Sequence, residues 1–250
     1  MQHIYIGDEG KGLPLILIHG FLGSSKMWEP QINFFKDHFR VITPDLPGFG
    51  KSNKAKSHNT IQSIANLLID LLGEKKIDKF HLLGHSMGGM IVQDMATKSG
   101  EKISKLVCYS TGPRGAMPGR FETIDQSREN LKKKGLEIMA KNIAKTWFIK
   151  GEDAKYFDIC IDAGKQTSTE VADNSLVAIK NWNGVDTLKN IKNETLIVWG
   201  DQDKSYNLEQ IQTLENNIEN SKLIIFKNCA HNVHLEEPDQ FNKVIKDFLL

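Results

Sequence analysis

The stretch Phe80-His81-Leu82-Leu83-Gly84-His85-Ser86-Met87-Gly88-Gly89-Met90-Ile91 decides how the rest of the chain is read. Its first four residues form an apolar run with the length of a buried strand, and Met90, Ile91, Met95 and Ala96 carry on as a helical pattern. Between them, Gly84, Ser86 and Gly88 put a serine at the apex of a strand-to-helix turn with a glycine two residues away on either side. So sharp a turn strains its apex and leaves no room for a Cβ beside it, which is what the glycines supply. The Ser86 hydroxyl then stands exposed at the carboxyl end of a strand, where a nucleophile is displayed.

Working outward, the same strand-then-turn pattern recurs. Leu15-Ile16-Leu17-Ile18 stops at His19-Gly20, and Arg40-Val41-Ile42-Thr43 stops at Pro44-Asp45. Leu106-Val107-Cys108-Tyr109 ends near Gly112, Leu196-Ile197-Val198-Trp199 at Gly200, and residues 223–226 at Lys227-Asn228. Near-continuous apolar runs mark strands buried on both faces. Helical stripes lie between them, such as Ile61, Ile64, Ala65, Leu68, Leu71 and Leu72, and residues 238–250 close the chain with Phe241, Val244, Ile245 and Phe248.

Strand alternating with helix predicts an α/β fold with a mostly parallel central sheet and helices on both faces. The alternation lapses between Gly112 and Trp182, where two or three helical stretches follow one another, one of them the lysine-rich amphipathic segment 129–148. A core formed by residues 1–111 and 184–250, with a helical cap inserted at 112–183, is therefore expected.

A chain of 250 residues fits one such core with an insertion. With 32 basic against 31 acidic residues and a net charge of +1, no overall field gathers nucleic acid or an anionic membrane. The longest apolar run falls far short of the ~20 residues that span a bilayer, and residues 1–12 lack the layout of a secretory signal. Three scattered cysteines, Cys108, Cys160 and Cys229, fit a reducing compartment, so the cytoplasm is the expected location.

A serine hydroxyl attacks a carbonyl only when a base takes its proton and a third group holds that base in one tautomer. Two later strand ends supply candidates. Asp201 and Asp203 follow the run at 196–199, and His231 and His234 follow the run at 223–226. Asp201 and Asp203 compete for the acid, and His231, first after its strand, is expected to be the base. The backbone N–H groups of Phe21 and Met87 are the candidate oxyanion donors. No metal-ligand spacing and no phosphate-binding glycine loop appears, so neither a metal nor an organic cofactor is expected.

Taken together, His19-Gly20-Phe21-Leu22-Gly23, the segment 44–52 that runs from Pro44-Asp45 to Lys51-Ser52, the Gly84 to Gly89 turn, Gly200 to Asp203, and His231 resemble the α/β-hydrolase family. Residues 86–91 are similar to the corresponding turn of the 3-oxoadipate enol-lactonases and related small esterases. The resemblance implies a Ser86–His231–Asp203 triad, an acyl-enzyme, and cleavage of a small-molecule ester or lactone. Dehalogenases and epoxide hydrolases of this family carry an aspartate where Ser86 stands. Carbon–carbon hydrolases that share the triad often have asparagine where His85 stands, and they rank below ester cleavage. A lyase on the same triad and a non-catalytic small-molecule sensor remain as further alternatives.

Substrate choice is expected to reside in the cap. Arg114 and Arg120, soon after a strand end, are candidates to pair with a substrate carboxylate, and Trp147 and Trp182 to wall the pocket.

Overall fold

The computed structural model describes residues 3–116 and 119–250; residues 117–118, within the expected cap, and 1–2 lie outside that description. The strands are β1 (Ile6–Glu9), β2 (Pro14–Ile18), β3 (Arg40–Pro44), β4 (Phe80–His85), β5 (Ile103–Tyr109), β6 (Thr195–Gly200) and β7 (Ser221–Phe226). They form one seven-stranded sheet in the order β1-β3-β2-β4-β5-β6-β7. β1 runs antiparallel to β3 and every other pair is parallel. The α/β class and mostly parallel sheet expected from the alternation are what the chain adopts.

β1 was not legible, because Ile6-Gly7-Asp8-Glu9 reads as a turn. It becomes a strand through its pairing with β3, where Arg40 donates two hydrogen bonds to Asp8, at 2.8 and 2.6 Å.

The helices are α1 (Glu29–Phe35), α2 (Ile61–Glu74), α3 (Met87–Ser99), α4 (Ile124–Lys134), α5 (Leu136–Lys145), α6 (Phe157–Lys165), α7 (Thr169–Asn181), α8 (Leu208–Asn217), α9 (Val233–Glu236) and α10 (Pro238–Leu249). Side chains alternate across a strand. Leu15, Leu17, Leu83, Val107 and Val198 therefore meet Phe35 of α1 and Phe241 and Ile245 of α10 on one face. Ile16, Ile18, Leu82, Leu106 and Ile197 meet Leu68 of α2, Ile91 of α3 and Ile211 of α8 on the other. Each fully buried side chain of this size contributes about 1.5–3 kcal/mol.

Helices α4 to α7 follow one another between β5 and β6. The amphipathic segment 129–148 is broken at Gly135, whose φ of 81° ends α4 before α5 begins. Leu131, Met139, Ile143 and Leu176 from these helices join the same apolar cluster as α2 and α3. Among the described residues no helix is long and apolar enough to cross a membrane.

Register brings the strand ends level: Ile18 pairs with Gly84, His85 with Tyr109, Tyr109 with Val198, and Gly200 with Phe226. The turns after β2, β4, β6 and β7 consequently share one edge of the sheet. The turn after β4 fits only without side chains, since a Cβ at Gly84 would lie 2.3 Å from Gly88 O and one at Gly88 would lie 2.4 Å from Ile18 O. Gly84→Ala and Gly88→Ala are each expected to lose about 3 kcal/mol in urea unfolding, because backbone must move. Gly73→Ala, with nothing within 4 Å, should be neutral or gain up to about 1 kcal/mol. Equal behaviour of the three variants would contradict this account of the turn.

Candidate active site

Ser86 sits at φ 56° and ψ −117°, immediately before α3. A non-glycine residue there stores on the order of 1–3 kcal/mol, which the surroundings must offset. They do so through hydrogen bonds on both sides. Ser86 N donates to Tyr109 O at 3.0 Å, while Ser86 O accepts from Thr111 Oγ1 at 2.7 Å and Gly89 N at 2.9 Å.

His19 organises the opposite wall. Leu46 N donates to His19 Nε2 at 2.9 Å, so that nitrogen is unprotonated and Nδ1 carries the hydrogen it gives to Gly20 O at 2.8 Å. Burial lowers the His19 pKa, partly offset by Asp45, and the ring stays neutral. Gly23 N also donates to Gly20 O, at 3.1 Å. With that carbonyl held on one side, the N–H of the same trans peptide, that of Phe21, points to the other. Gly20 is required here too, because a Cβ would come within 2.9 Å of Ser86 Cβ. Among the described residues neither Phe21 N–H nor Met87 N–H meets an acceptor.

His231 Nδ1 lies 2.9 Å from Asp203 Oδ2, and both side chains are almost wholly buried, at 2% and 0% exposure. Asp203 Oδ1 accepts from Ser205 N at 2.7 Å and Tyr206 N at 3.3 Å, so both oxygens are occupied and the carboxylate cannot turn freely. Asp201 serves elsewhere: its Oδ1 accepts Asn228 N at 2.8 Å and ties the β6 turn to the β7 turn. His234 faces inward, its Nδ1 2.9 Å from the Tyr109 hydroxyl and its ring 4.6 Å from Trp28. Burial takes His234 down to about 3 and His85 well below its ordinary value, so both remain neutral rings behind His231.

Ser86 and His231 line one cleft, together with Gly20, Phe21, Arg120, Trp147 and Tyr206. The cavity volume is about 30 Å³. Two of the residues expected at the pocket stand apart from it. Arg114 is exposed and lines a separate groove beside Asn207 and Glu209, because its backbone is bridged to Asn183. Trp182 is buried, but it packs on Gly184 and is not among the residues that line the cleft.

Tyr206 is the residue that sequence reasoning missed. Its ring stacks on His231 with centroids 5.8 Å apart and planes 16° from parallel. Burial pushes its hydroxyl pKa up to about 12, an effect offset in part by the facing Ser86 side chain. No motif marks a tyrosine in a loop of this kind.

Among the described residues no three His, Cys, Asp or Glu side chains converge as a metal site. A family model described as alpha/beta hydrolase fold matches residues 14–238. The pimeloyl-[acyl-carrier protein] methyl ester esterase of Legionella pneumophila is 28% identical over 99% of this chain and 100% of its own length. The 2-hydroxy-6-oxononadienedioate/2-hydroxy-6-oxononatrienedioate hydrolase 1 of Pseudomonas putida is 30% identical over 99% of this chain and 92% of its own. The enol-lactonase of Burkholderia xenovorans superimposes with a TM-score of 0.90 at 22% identity, over 98% of this chain and 96% of that one, a likeness of fold alone.

Proposed function

Because the chain belongs to the α/β-hydrolase family, we propose that it hydrolyses a carboxylic ester or lactone of a small molecule through Ser86, His231 and Asp203. The observation that carries this reading is the 2.9 Å contact between His231 Nδ1 and Asp203 Oδ2 in a cleft that Ser86 also lines. Asp203 fixes the proton on Nδ1, which leaves Nε2 free to take the Ser86 proton as Oγ attacks the carbonyl. The oxyanion falls to the Phe21 and Met87 N–H groups, each worth about 2.7–4 kcal/mol in reactions of this class. The acyl–oxygen bond breaks as His231 returns the proton to the leaving alcohol. Water then attacks the acyl carbon as it gives a proton to His231, and the bond to Ser86 Oγ breaks as His231 returns that proton to Oγ, releasing the acid.

Residues 112–183 act in this reading as the lid that selects substrate. Arg120 supports a substrate that bears a carboxylate. Its Nη1 donates to Glu122 O at 2.7 Å and Ser127 Oγ at 3.3 Å, and among the described residues no carboxylate forms an ion pair with it. Glu122 is engaged by Ser127 and Asn130, and Asp203 by its own loop and His231. Arg120 is partly buried and feels Glu122 and Asp203 without ion-pair contact to either, and a bound carboxylate would supply that contact. Of the two relatives, the Pseudomonas hydrolase is named for a dioate, a substrate that bears carboxylates, whereas the Legionella esterase is named for a methyl ester.

Arg120→Met is expected to raise KM for mono-p-nitrophenyl glutarate on the order of 10–100-fold, the value of about 1.5–3 kcal/mol for a charge-assisted hydrogen bond. KM for p-nitrophenyl butyrate should stay within about threefold. Equal losses for the two esters would remove the carboxylate from the reading.

The three cysteines are buried and unpaired, which fits a reducing compartment, and we place the reaction in the cytoplasm. The experiment for the reading as a whole is fluorophosphonate labelling, mapped by peptide mass. Modification of Ser86 with release of p-nitrophenol supports it, and an unlabelled, inactive protein would overturn it. Carbon–carbon cleavage on the same residues, favoured by the Pseudomonas relative, is separated by product analysis on a dienedioate of that kind.

A further inference from the structure

The loop that carries His231 is fastened to the inserted helices on both sides. Ala230 N–H, one residue before His231, donates to Glu236 Oε2 at 2.6 Å. Ile149 N–H, in the turn that follows α5, donates to Glu236 Oε1 at 2.6 Å. One carboxylate therefore holds the histidine loop and the insertion together. One residue after His231, Asn232 N–H donates to Trp147 O at 3.0 Å, and the Asn232 side chain reaches Cys160 Sγ in α6 at 3.4 Å. Trp147 itself faces the His231 ring with centroids 6.2 Å apart.

These contacts gain meaning from the size of the cleft. About 30 Å³ has room for roughly two or three waters, whereas small-molecule sites run to about 300–1,000 Å³. A site this narrow takes a substrate of ordinary size by a shift of the inserted helices, and segment 147–149, bonded to Asn232 directly and to Ala230 through Glu236, lies in the path of that shift. A displacement that carries Ile149 away takes one of the two short charge-assisted bonds from Glu236 and frees the carboxylate to swing, and Ala230 with it. When the insertion settles back, both bonds re-form and the loop returns to one position.

We propose that Glu236 is a positioning residue that couples closure of the inserted helices over the substrate to the placement of His231 against Ser86. The inference rests on the Ser86–His231–Asp203 reading above. Glu236 touches no reacting atom; it acts through Ala230. The α9 segment that bears it is a single turn, so its side-chain position depends on these two partners.

Glu236→Gln keeps the size but replaces one acceptor oxygen by an amide NH₂ that confronts an N–H. The full-length variant is compared with wild type by kcat and KM on a p-nitrophenyl ester, by the rate of fluorophosphonate labelling, and by the His231 Nδ1–H proton resonance. We expect kcat and the labelling rate to fall on the order of 10–100-fold, the effect of a misplacement near 1 Å. KM should change less than about threefold, and the His231 resonance should shift or broaden. Wild-type kcat with an unmoved resonance would overturn the proposal, as would a loss that merely tracks the unfolded fraction.

Should Glu236→Gln fail to fold, amide exchange in the wild-type protein decides the matter. The Ala230 and Ile149 amides are expected to open together, and opening constants that differ tenfold or more would overturn the coupling. A wild-type protein that resists fluorophosphonate altogether would sink the serine mechanism, while the His231 resonance would still decide the coupling.

Discussion

Ser86→Ala is expected to lower kcat on a p-nitrophenyl ester by on the order of 10⁴–10⁶-fold with little change in KM or stability. The turn explains the small structural effect. Its conformation is set by the Ser86 backbone bonds to Tyr109 and Thr111 and by the neighbouring glycines, and none of these uses the hydroxyl. Alanine inherits the same strained φ with an almost identical Cβ. The Phe21 and Met87 N–H groups survive, so a residual rate of about 10³-fold over water should remain. His231→Ala should be as severe, and the double variant no worse than either single one, because nucleophile and base act as one unit. Steady-state kinetics on the three variants check this, and additive losses would show that Ser86 and His231 do not serve one step.

Asp203→Asn is expected to cost about 10⁴-fold in kcat, whereas Asp201→Asn should stay within about threefold. At position 203 the amide presents an N–H to the nitrogen that must itself carry the hydrogen, which favours the wrong imidazole tautomer. The geometry changes little, because Ser205 N and Tyr206 N still find an acceptor at Oδ1. At position 201 the side chain accepts Asn228 N on the far side of the turn, and an amide oxygen does that as well. The reverse outcome, with Asp201 sensitive and Asp203 tolerant, would mean that the carboxylate facing His231 in this fold is not the one that orients it in solution.

The sequence was most informative where the sheet itself does the positioning. Ser86, Asp203 and His231 each follow a strand within a few residues, the first two a buried one and the last the half-buried edge strand β7, and parallel register forces such positions onto one edge. Choosing Asp203 over Asp201 needed more than register, since both lie in one turn, and the family resemblance supplied it. Farther from a strand end that leverage disappears. Arg114 and Arg120 sit in one aperiodic stretch, and the bridge from Arg114 to Asn183 turns the first outward while the second reaches the cleft. Tyr206 gains its place by stacking on a ring 25 positions away, and Glu236 by bonding Ile149, 87 positions away in the insertion. Contacts of that range leave no local pattern. Gly135 is a local signal passed over: the segment 129–148 reads as one amphipathic helix, and the glycine inside it breaks it in two.

A cleft of about 30 Å³ also sets a ceiling on speed. On the proposed reaction, a site this narrow makes opening of the inserted helices, and not diffusion, the step expected to bound kcat/KM. Esters with ever better leaving groups would then converge on one second-order constant, because making the bond easier to break does nothing for the wait outside. The same tightness has a benefit once the acyl-enzyme has formed: with space for a few solvent molecules and little else, the water that completes the reaction meets few competitors for the acyl group.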